Sequence, residues 1–446
     1  MMNGKTILFG GLLGVSATQG LCAAAATQGE DAGARRPNVV IFLTDDQGAI
    51  DLNCFGAEDL RTPHIDALAE RGVRFTRFYA NSSISSPSRA ALLTGCYPQR
   101  AGVPLIVRPD STDPGLPPGA TTLADVLKEH GYATAAIGKW HLGYRAEAHP
   151  NAHGFDYFFG HLGGCIDNYS HFFYWQGPNR HDLYCNREEV WYSGENFSDL
   201  MVREASSFIE AHRDSPFFLY FSSNYPHYPL QGDAKWRNYY DDLPSPRDKY
   251  AAMVSTIDEK IGRIIEKLER EGLLDDTIIV FMSDNGFSRE ERAFYGGGSA
   301  GGLRGEKFSV YEGGIRVPAI LSYPGHVAEG GICEEVALGF DWFPTILDLC
   351  RIDLSGRPID GRSLVPVLAG APSPHEVVNW QVNKRWAVYK GGYKLVGEIR
   401  KGEETVELYC LDEDMGETRD LSASRPDIVA DLTYERHLWL DEVGRR

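Results

Sequence analysis

Apolar positions along this chain alternate between two rhythms. Residues 38–43, Asn-Val-Val-Ile-Phe-Leu, form an almost unbroken apolar run that stops at Thr44-Asp45-Asp46. A strand buried on both faces of a parallel sheet reads this way, with its polar end at the edge where ligands bind. Residues 133–137, 217–221 and 277–282 repeat the pattern. Between them the period becomes helical. Residues 63–71 place Ile65, Leu68 and Ala69 on one face, with Thr62 expected as N-cap and Pro63 suited to the first helical position. Residues 123–130 form another such stretch. The clearest spans 250–268, where Met253, Ile257, Ile261, Ile264, Ile265 and Leu268 recur at helical spacing and Gly272 closes the run. Core packing accounts for that stripe in full. The alternation predicts an α/β fold with a mostly parallel sheet sandwiched by helices. After about residue 373 the rhythm changes. Residues 386–389, 393–396 and 407–409 predict short antiparallel strands, followed by a helix from about Pro426. The expected organisation is a main domain over 37–372 and a smaller C-terminal subdomain over 373–446.

The chain has 446 residues, a length that suits a large α/β domain with an appendage. Its formal net charge of -18 disfavours nucleic acid and anionic membranes as partners. Any anionic substrate needs local cations set against that field. Lys5, the apolar stretch 7–15 and the small residues around Cys22 to Ala26 predict a signal peptide over 1–26, with a disordered leader over 27–36. The expected location is therefore periplasmic or secreted. No stretch is long and apolar enough to predict a membrane span. Of the seven cysteines after Cys22, Cys165 and Cys185 flank a loop-like region and are the expected disulfide.

Chemistry concentrates at the polar ends of the strands. Asp45 and Asp46 end the first, and Asp284 and Asn285 follow the run at 277–282. Adjacent carboxylates repel one another unless a cation or solvent holds them. If both strands lie in one parallel sheet, the four residues meet at one edge as an all-oxygen set, which favours Ca²⁺ or Mg²⁺ over zinc. Residues 85–95, Ser-Ser-Pro-Ser-Arg-Ala-Ala-Leu-Leu-Thr-Gly, fix many identities at fixed spacing. A Ser/Pro loop capping a helix explains only part of that pattern. Residues 151–198 are irregular and rich in aromatic, His and Asn side chains, a composition that suits a carbohydrate pocket or a cover for the sheet. His161, His171 and Trp175 are the candidate sugar contacts there.

Residues 85–95 match the Cys/Ser-x-Pro-Ser-Arg-x-x-x-Leu-Thr-Gly pattern, and the chain from Arg36 onward resembles the formylglycine-dependent sulfatases of the alkaline phosphatase superfamily. The resemblance extends through Thr44-Asp45-Asp46-Gln47, Gly138-Lys139-Trp140-His141-Leu142-Gly143, Asn224-Tyr225-Pro226-His227-Tyr228-Pro229, and Leu303-Arg304-Gly305-Glu306-Lys307 with residues 311–318. It implies that Ser85 is oxidised to formylglycine by a serine-type maturation enzyme; many relatives carry Cys at this position. It implies one Ca²⁺ held by Asp45, Asp46, Asp284 and Asn285. Arg89, Lys139 and Lys307 would offset anionic charge, His227 would protonate the leaving oxygen, and His141 would remove a proton from the second hydroxyl of the hydrated aldehyde. The implied substrate is a sulfated carbohydrate, with galactose or N-acetylgalactosamine sulfated at O4 or O6 the first expectation. Two rival readings are a phosphatase or phosphodiesterase of the same superfamily, which usually holds two zinc ions, and a non-catalytic sulfated-glycan binder in which Ser85 is never oxidised.

Overall fold

The structure, a computed structural model, describes residues 36–110, 112–174, 178–354 and 356–444. The expected signal peptide and almost all of the expected leader lie outside these residues. The main sheet is built from β1 (Asn38–Thr44), β2 (Val73–Phe75), β3 (Ala133–Lys139), β4 (Tyr157–His161), β5 (Phe217–Ser222), β6 (Thr277–Ser283), β7 (Ala319–Ser322) and β8 (Gly331–Cys333). Their order is β8-β2-β7-β6-β1-β5-β3-β4, extended by a small hairpin at Tyr184–Cys185 and Glu188–Glu189 to ten strands. β6, β1, β5, β3 and β4 are mutually parallel, and β7 pairs antiparallel with both β6 and β2. Every residue of β1, β5 and β6 is buried, as their continuous apolar runs require. Because β1, β5 and β6 are in parallel register, Leu43 lies opposite Ser222 and Thr44 opposite Ser283. Their carboxyl ends, with that of β3, therefore share one edge.

Helices cover both faces. They include α1 (Pro63–Glu70), α2 (Ser85–Thr94), α3 (Leu123–Glu129), α4 (Phe197–Ala211) and α5 (Arg247–Arg270). The stripe along α5 buries Met253, Ile257, Ile261, Ile264 and Leu268, each contributing about 1.5–3 kcal/mol of transfer free energy. Thr62 stands at the N-cap of α1, but its hydroxyl makes no cap. The free N–H groups of His64 and Ile65 donate instead to Asp258 of α5, at 3.3 and 2.8 Å. That tertiary cap pins α1 to α5 and replaces the local one expected from sequence.

The C-terminal segment forms a separate four-stranded antiparallel sheet, β9 (Val377–Val382), β10 (Arg385–Lys390), β11 (Tyr393–Arg400) and β12 (Glu403–Cys410), followed by α6 (Pro426–Val443). Trp380 and Trp439 pack with Tyr79, Ile84 and Ala91, so this sheet leans on the start of α2. A buried ionic cluster adds to the join. Lys394 Nζ lies 2.8 Å from Glu312 Oε1 and 2.9 Å from Glu417 Oε1, and none of the three side chains is exposed.

The expected Cys165–Cys185 bridge is absent, and no described cysteine is in a disulfide. Cys165 is sealed among Phe173, Tyr228 and Ala293, whereas Cys185 turns toward the Tyr157 hydroxyl at 3.7 Å. Apolar burial, rather than a covalent link, accounts for Cys165. No described helix is long and apolar enough to cross a membrane.

Candidate active site

α2 presents Ser85 in its first turn, where unpaired N–H groups and the helix dipole favour negative charge. The surrounding sequence makes that presentation rigid. Ser88 Oγ donates to Ser82 O at 2.8 Å and accepts from Ser82 N–H at 3.1 Å, closing the approach to the helix. Leu92 and Leu93 are buried in the core, and Gly95 ends the helix at φ 68, a left-handed value that favours glycine. Arg89 crosses the sheet edge. Its Nε and Nη2 donate to Asp284 Oδ2 at 3.0 and 2.8 Å, and Nη1 donates to the carbonyl of Lys139 at 3.2 Å. One guanidinium thus joins the ends of β6 and β3.

The expected residues converge on Ser85. Its hydroxyl lies 3.2 Å from Asp45 Oδ1, 3.4 Å from Asn285 Oδ1 and 3.4 Å from Lys139 Nζ. Lys139 Nζ in turn donates to Asp45 Oδ2 at 2.7 Å. Asp46 N–H donates to Asp284 Oδ1 at 3.2 Å, and Asn285 Nδ2 donates to Asp46 Oδ1 at 2.7 Å. On the far side Lys307 Nζ bridges Asp46 Oδ2 at 2.9 Å and Glu290 Oε2 at 3.0 Å. His227 holds its Nδ1 proton against the Tyr228 carbonyl at 2.7 Å, which leaves Nε2 3.7 Å from Asp46 Oδ2. His141 adopts φ 57 just beyond β3, and its ring stands against Gly164. Ser85, His141, His227 and Lys307 line a cavity of about 290 Å³ together with Ile106, Val107, Arg108, Pro109, Gly164 and Phe173.

The carboxylates at this edge are held differently. Burial works against ionising Asp45, yet Lys139, His227 and Arg89 outweigh it and hold its carboxyl well below the usual range. Asp46 is different. Burial, opposed by Lys307 but reinforced by Asp45 and Asp284, pushes it up to about 7. Burial and then Asp45 raise Asp284 as well, against Arg89 and Lys139. Protein cations alone therefore leave the carboxylate cluster short of positive charge. An added hard cation would relieve that shortage, and the oxygens of Asp45, Asp46, Asp284 and Asn285 suit one. Candidate ligand atoms of Asp45, Asp46 and His227 lie within 4.8 Å of one another. Lys307 is raised well above its ordinary value, because Asp46 and Glu290 overcome its burial. Burial lowers His141 and His227 well below theirs; Lys139 and Arg89 add to the effect at His141, while Asp45 opposes it at His227.

Two of the expected sugar contacts, His161 and His171, are not brought to this cavity. His161 ends β4 opposite Lys139, is wholly buried, and packs its ring against Phe197. His171 is also buried and donates from Nε2 to the Glu195 carbonyl at 3.1 Å. Neither lines the cavity. Trp175 lies outside the described residues. Sequence reasoning also missed Glu290 and Gly164. Glu290 lies six residues beyond Asp284 on the loop that leaves the same strand end, a signal that was available in the chain.

Residues 37–352 match the sulfatase family model, and residues 305–435 match the model for the C-terminal region of N-sulphoglucosamine sulphohydrolase. The chain is 34% identical over 405 residues to N-acetylgalactosamine-6-sulfatase of Mus musculus, covering 86% of this chain and 75% of that protein. It is 34% identical over 387 residues to arylsulfatase A of Homo sapiens, covering 81% and 75%. The crystal structure of Ps i-CgsB in complex with k-i-k-neocarrahexaose shares its fold at a TM-score of 0.83 and 30% identity, covering 91% of this chain and 93% of that one. With Ser85 at the floor of the cavity and the carboxylates and cations converging on it, these matches make the chain a member of the sulfatase family, a sulfuric ester hydrolase.

Proposed function

We propose that this enzyme removes sulfate from a carbohydrate, most readily galactose or N-acetylgalactosamine sulfated at O4 or O6, after oxidation of Ser85 to formylglycine. The reading extends to an exported protein, periplasmic or secreted, with a catalytic domain over 37–372, a C-terminal subdomain over 373–446 and a serine-type maturation enzyme as partner. The observation that carries it is the position of Ser85 Oγ, 3.2 Å from Asp45 Oδ1 and 3.4 Å from Lys139 Nζ on the cavity floor. N-acetylgalactosamine-6-sulfatase among the relatives, and a solved neighbour in complex with k-i-k-neocarrahexaose, support a saccharide leaving group.

Asp45, Asp46, Asp284 and Asn285 would hold one Ca²⁺, which when bound supplies positive charge beside residue 85 and the sulfate. A hydrated formyl group supplies two hydroxyls on one carbon, one to attack sulfur and one through which the aldehyde is restored. Serine has only one. The remaining work falls to the chain's own side chains. Lys139 and Arg89 hold positive charge against the attacking side, and both are fixed by carboxylates, so no reorganisation is needed as charge shifts. Lys307 offsets charge on the sulfate. His227 protonates the leaving sugar oxygen from Nε2, since Nδ1 is committed to Tyr228. An entering sulfate brings the negative charge needed to raise the lowered pKa of His227. His141 takes the proton from the second hydroxyl of residue 85. The sum is ester plus water to alcohol plus sulfate.

The experiment is sulfate release from galactose and N-acetylgalactosamine sulfated separately at O4 and O6, using enzyme made with a serine-type maturase. Cleavage of one positional isomer, lost in chelator and restored by Ca²⁺, is the expected result. Full activity in chelator, or release of phosphate but not sulfate from matched esters, would overturn it.

A further inference from the structure

The mouth of the cavity carries a cation that the reaction does not use. Residues 106–109 border the cavity, and Val107 anchors them: it is buried and its N–H donates to Ser86 Oγ at 3.1 Å. The strap is thereby fixed one residue from Ser85. Ile106 and Arg108, on either side of Val107 in the chain, are exposed and line the cavity with it. A second tie follows, since Arg108 N–H donates to Asp113 Oδ2 at 3.0 Å. Asp110, a nearby carboxylate, is engaged by the N–H of Thr112 at 2.8 Å.

Each deeper cation is already held: Arg89 by Asp284, Lys139 by Asp45, and Lys307 by Asp46 and Glu290. Arg108 is exposed; its charge helps to lower Asp110, but less than the Thr112 hydrogen bonds do, and no ion pair among the described residues holds its guanidinium. A positive group left uncommitted at the mouth of this cavity, in a chain of net charge -18, is suited to an anion arriving with the substrate. We propose that Arg108 binds a second oxyanion on the leaving saccharide. The preferred substrate then carries, beyond the ester to be cut, either another sulfate on the same sugar or a carboxylate on its neighbour. This rests on the carbohydrate sulfatase reading above. The planar guanidinium matches the paired oxygens of either group. Ile106 and Phe173, which also line the cavity, offer apolar surface to the sugar beside that contact.

The test uses three probes: a monosulfated N-acetylgalactosamine, its disulfated counterpart, and the monosulfated sugar linked to glucuronate. Binding is measured by calorimetry to the Ser85→Ala form, which needs no maturation and turns nothing over. KM and kcat are measured on matured enzyme. Arg108→Ala should shrink the affinity advantage of a dianionic probe over the monosulfated one about tenfold. Its effect should fall on KM rather than kcat, and Arg108→Lys should recover part of it. The probe that loses its advantage identifies sulfate or carboxylate as the group read. Equal affinity of the parent protein for all three probes, or an equal loss on all three in Arg108→Ala, would overturn this inference and leave the sulfatase reading intact. If no probe is bound or cleaved, the carbohydrate reading fails first and this inference falls with it.

Discussion

Gly164 offers a one-atom test of how tightly His141 is held. A Cβ built at Gly164 would lie 2.9 Å from both Cε1 and Nε2 of the His141 ring. Comfortable carbon contacts are about 3.5–4.0 Å, so Gly164→Ala requires the ring to withdraw by roughly 0.6–1 Å. The backbone of His141 cannot absorb the move freely. It sits at φ 57, and its N–H is held by the Leu162 carbonyl at 3.2 Å. The ring must therefore leave its present place in the cavity lining. A misplacement of about 1 Å at a reacting group can cost about 10²-fold. Gly164→Ala should lower kcat on a sulfated sugar by about that factor, with a melting temperature within a few degrees of the parent. The assay is sulfate release by Gly164→Ala, His141→Ala and the double variant. If the alanine acts through the ring, the double variant should be no slower than His141→Ala alone. Additive losses, or parental kcat in Gly164→Ala, would refute the reasoning.

Lys394→Met leaves Glu312 and Glu417 buried without their cation and should cost about 3–5 kcal/mol in urea unfolding; a change below about 1 kcal/mol would contradict the pairing. Burial, opposed by Lys394 and reinforced by Glu312, raises Glu417 from 4.5 to about 7. The native state then binds its proton more tightly than the unfolded chain does, so this contribution is full below pH 4.5 and is lost as pH rises through 7. Glu417→Gln should flatten the stability profile across that window, and an unchanged slope there would count against it. His227→Ala should lose about 10²–10⁴-fold on a sulfated sugar and much less on nitrophenyl sulfate, whose leaving oxygen needs no proton. Equal losses on both substrates would move the acid role to Lys307.

Much of the site was legible because its parts lie where local patterns end. The apolar runs of β1 and β6 stop at Asp45 and Asp284, and parallel register brings those ends together without further information. The pattern at 85–95 reads as packing and capping as well as chemistry: Leu92 and Leu93 enter the core, Gly95 turns the chain, and Arg89 ties two strand ends. What could not be read depends on contacts distant in sequence. The cap of α1 comes from Asp258, about 190 residues away. Periodicity does not say which histidines of an aromatic-rich stretch face a cavity, and His161 and His171 are buried without lining it. The spacing of Cys165 and Cys185 carried no information about their surroundings, which differ. Arg108 belongs to a stretch with no period at all, and only the tether of Val107 to Ser86 reveals that it reaches the cavity.

The central claim is that residue 85 of the working enzyme is no longer serine. Mass spectrometry of the peptide containing Ser85, taken from protein expressed with and without a serine-type maturase, tests it directly. The account predicts that the matured peptide is lighter by two hydrogens, is trapped by a hydrazine, and rises in proportion to the rate of sulfate release. A fully active preparation whose peptide carries only unmodified serine would contradict it.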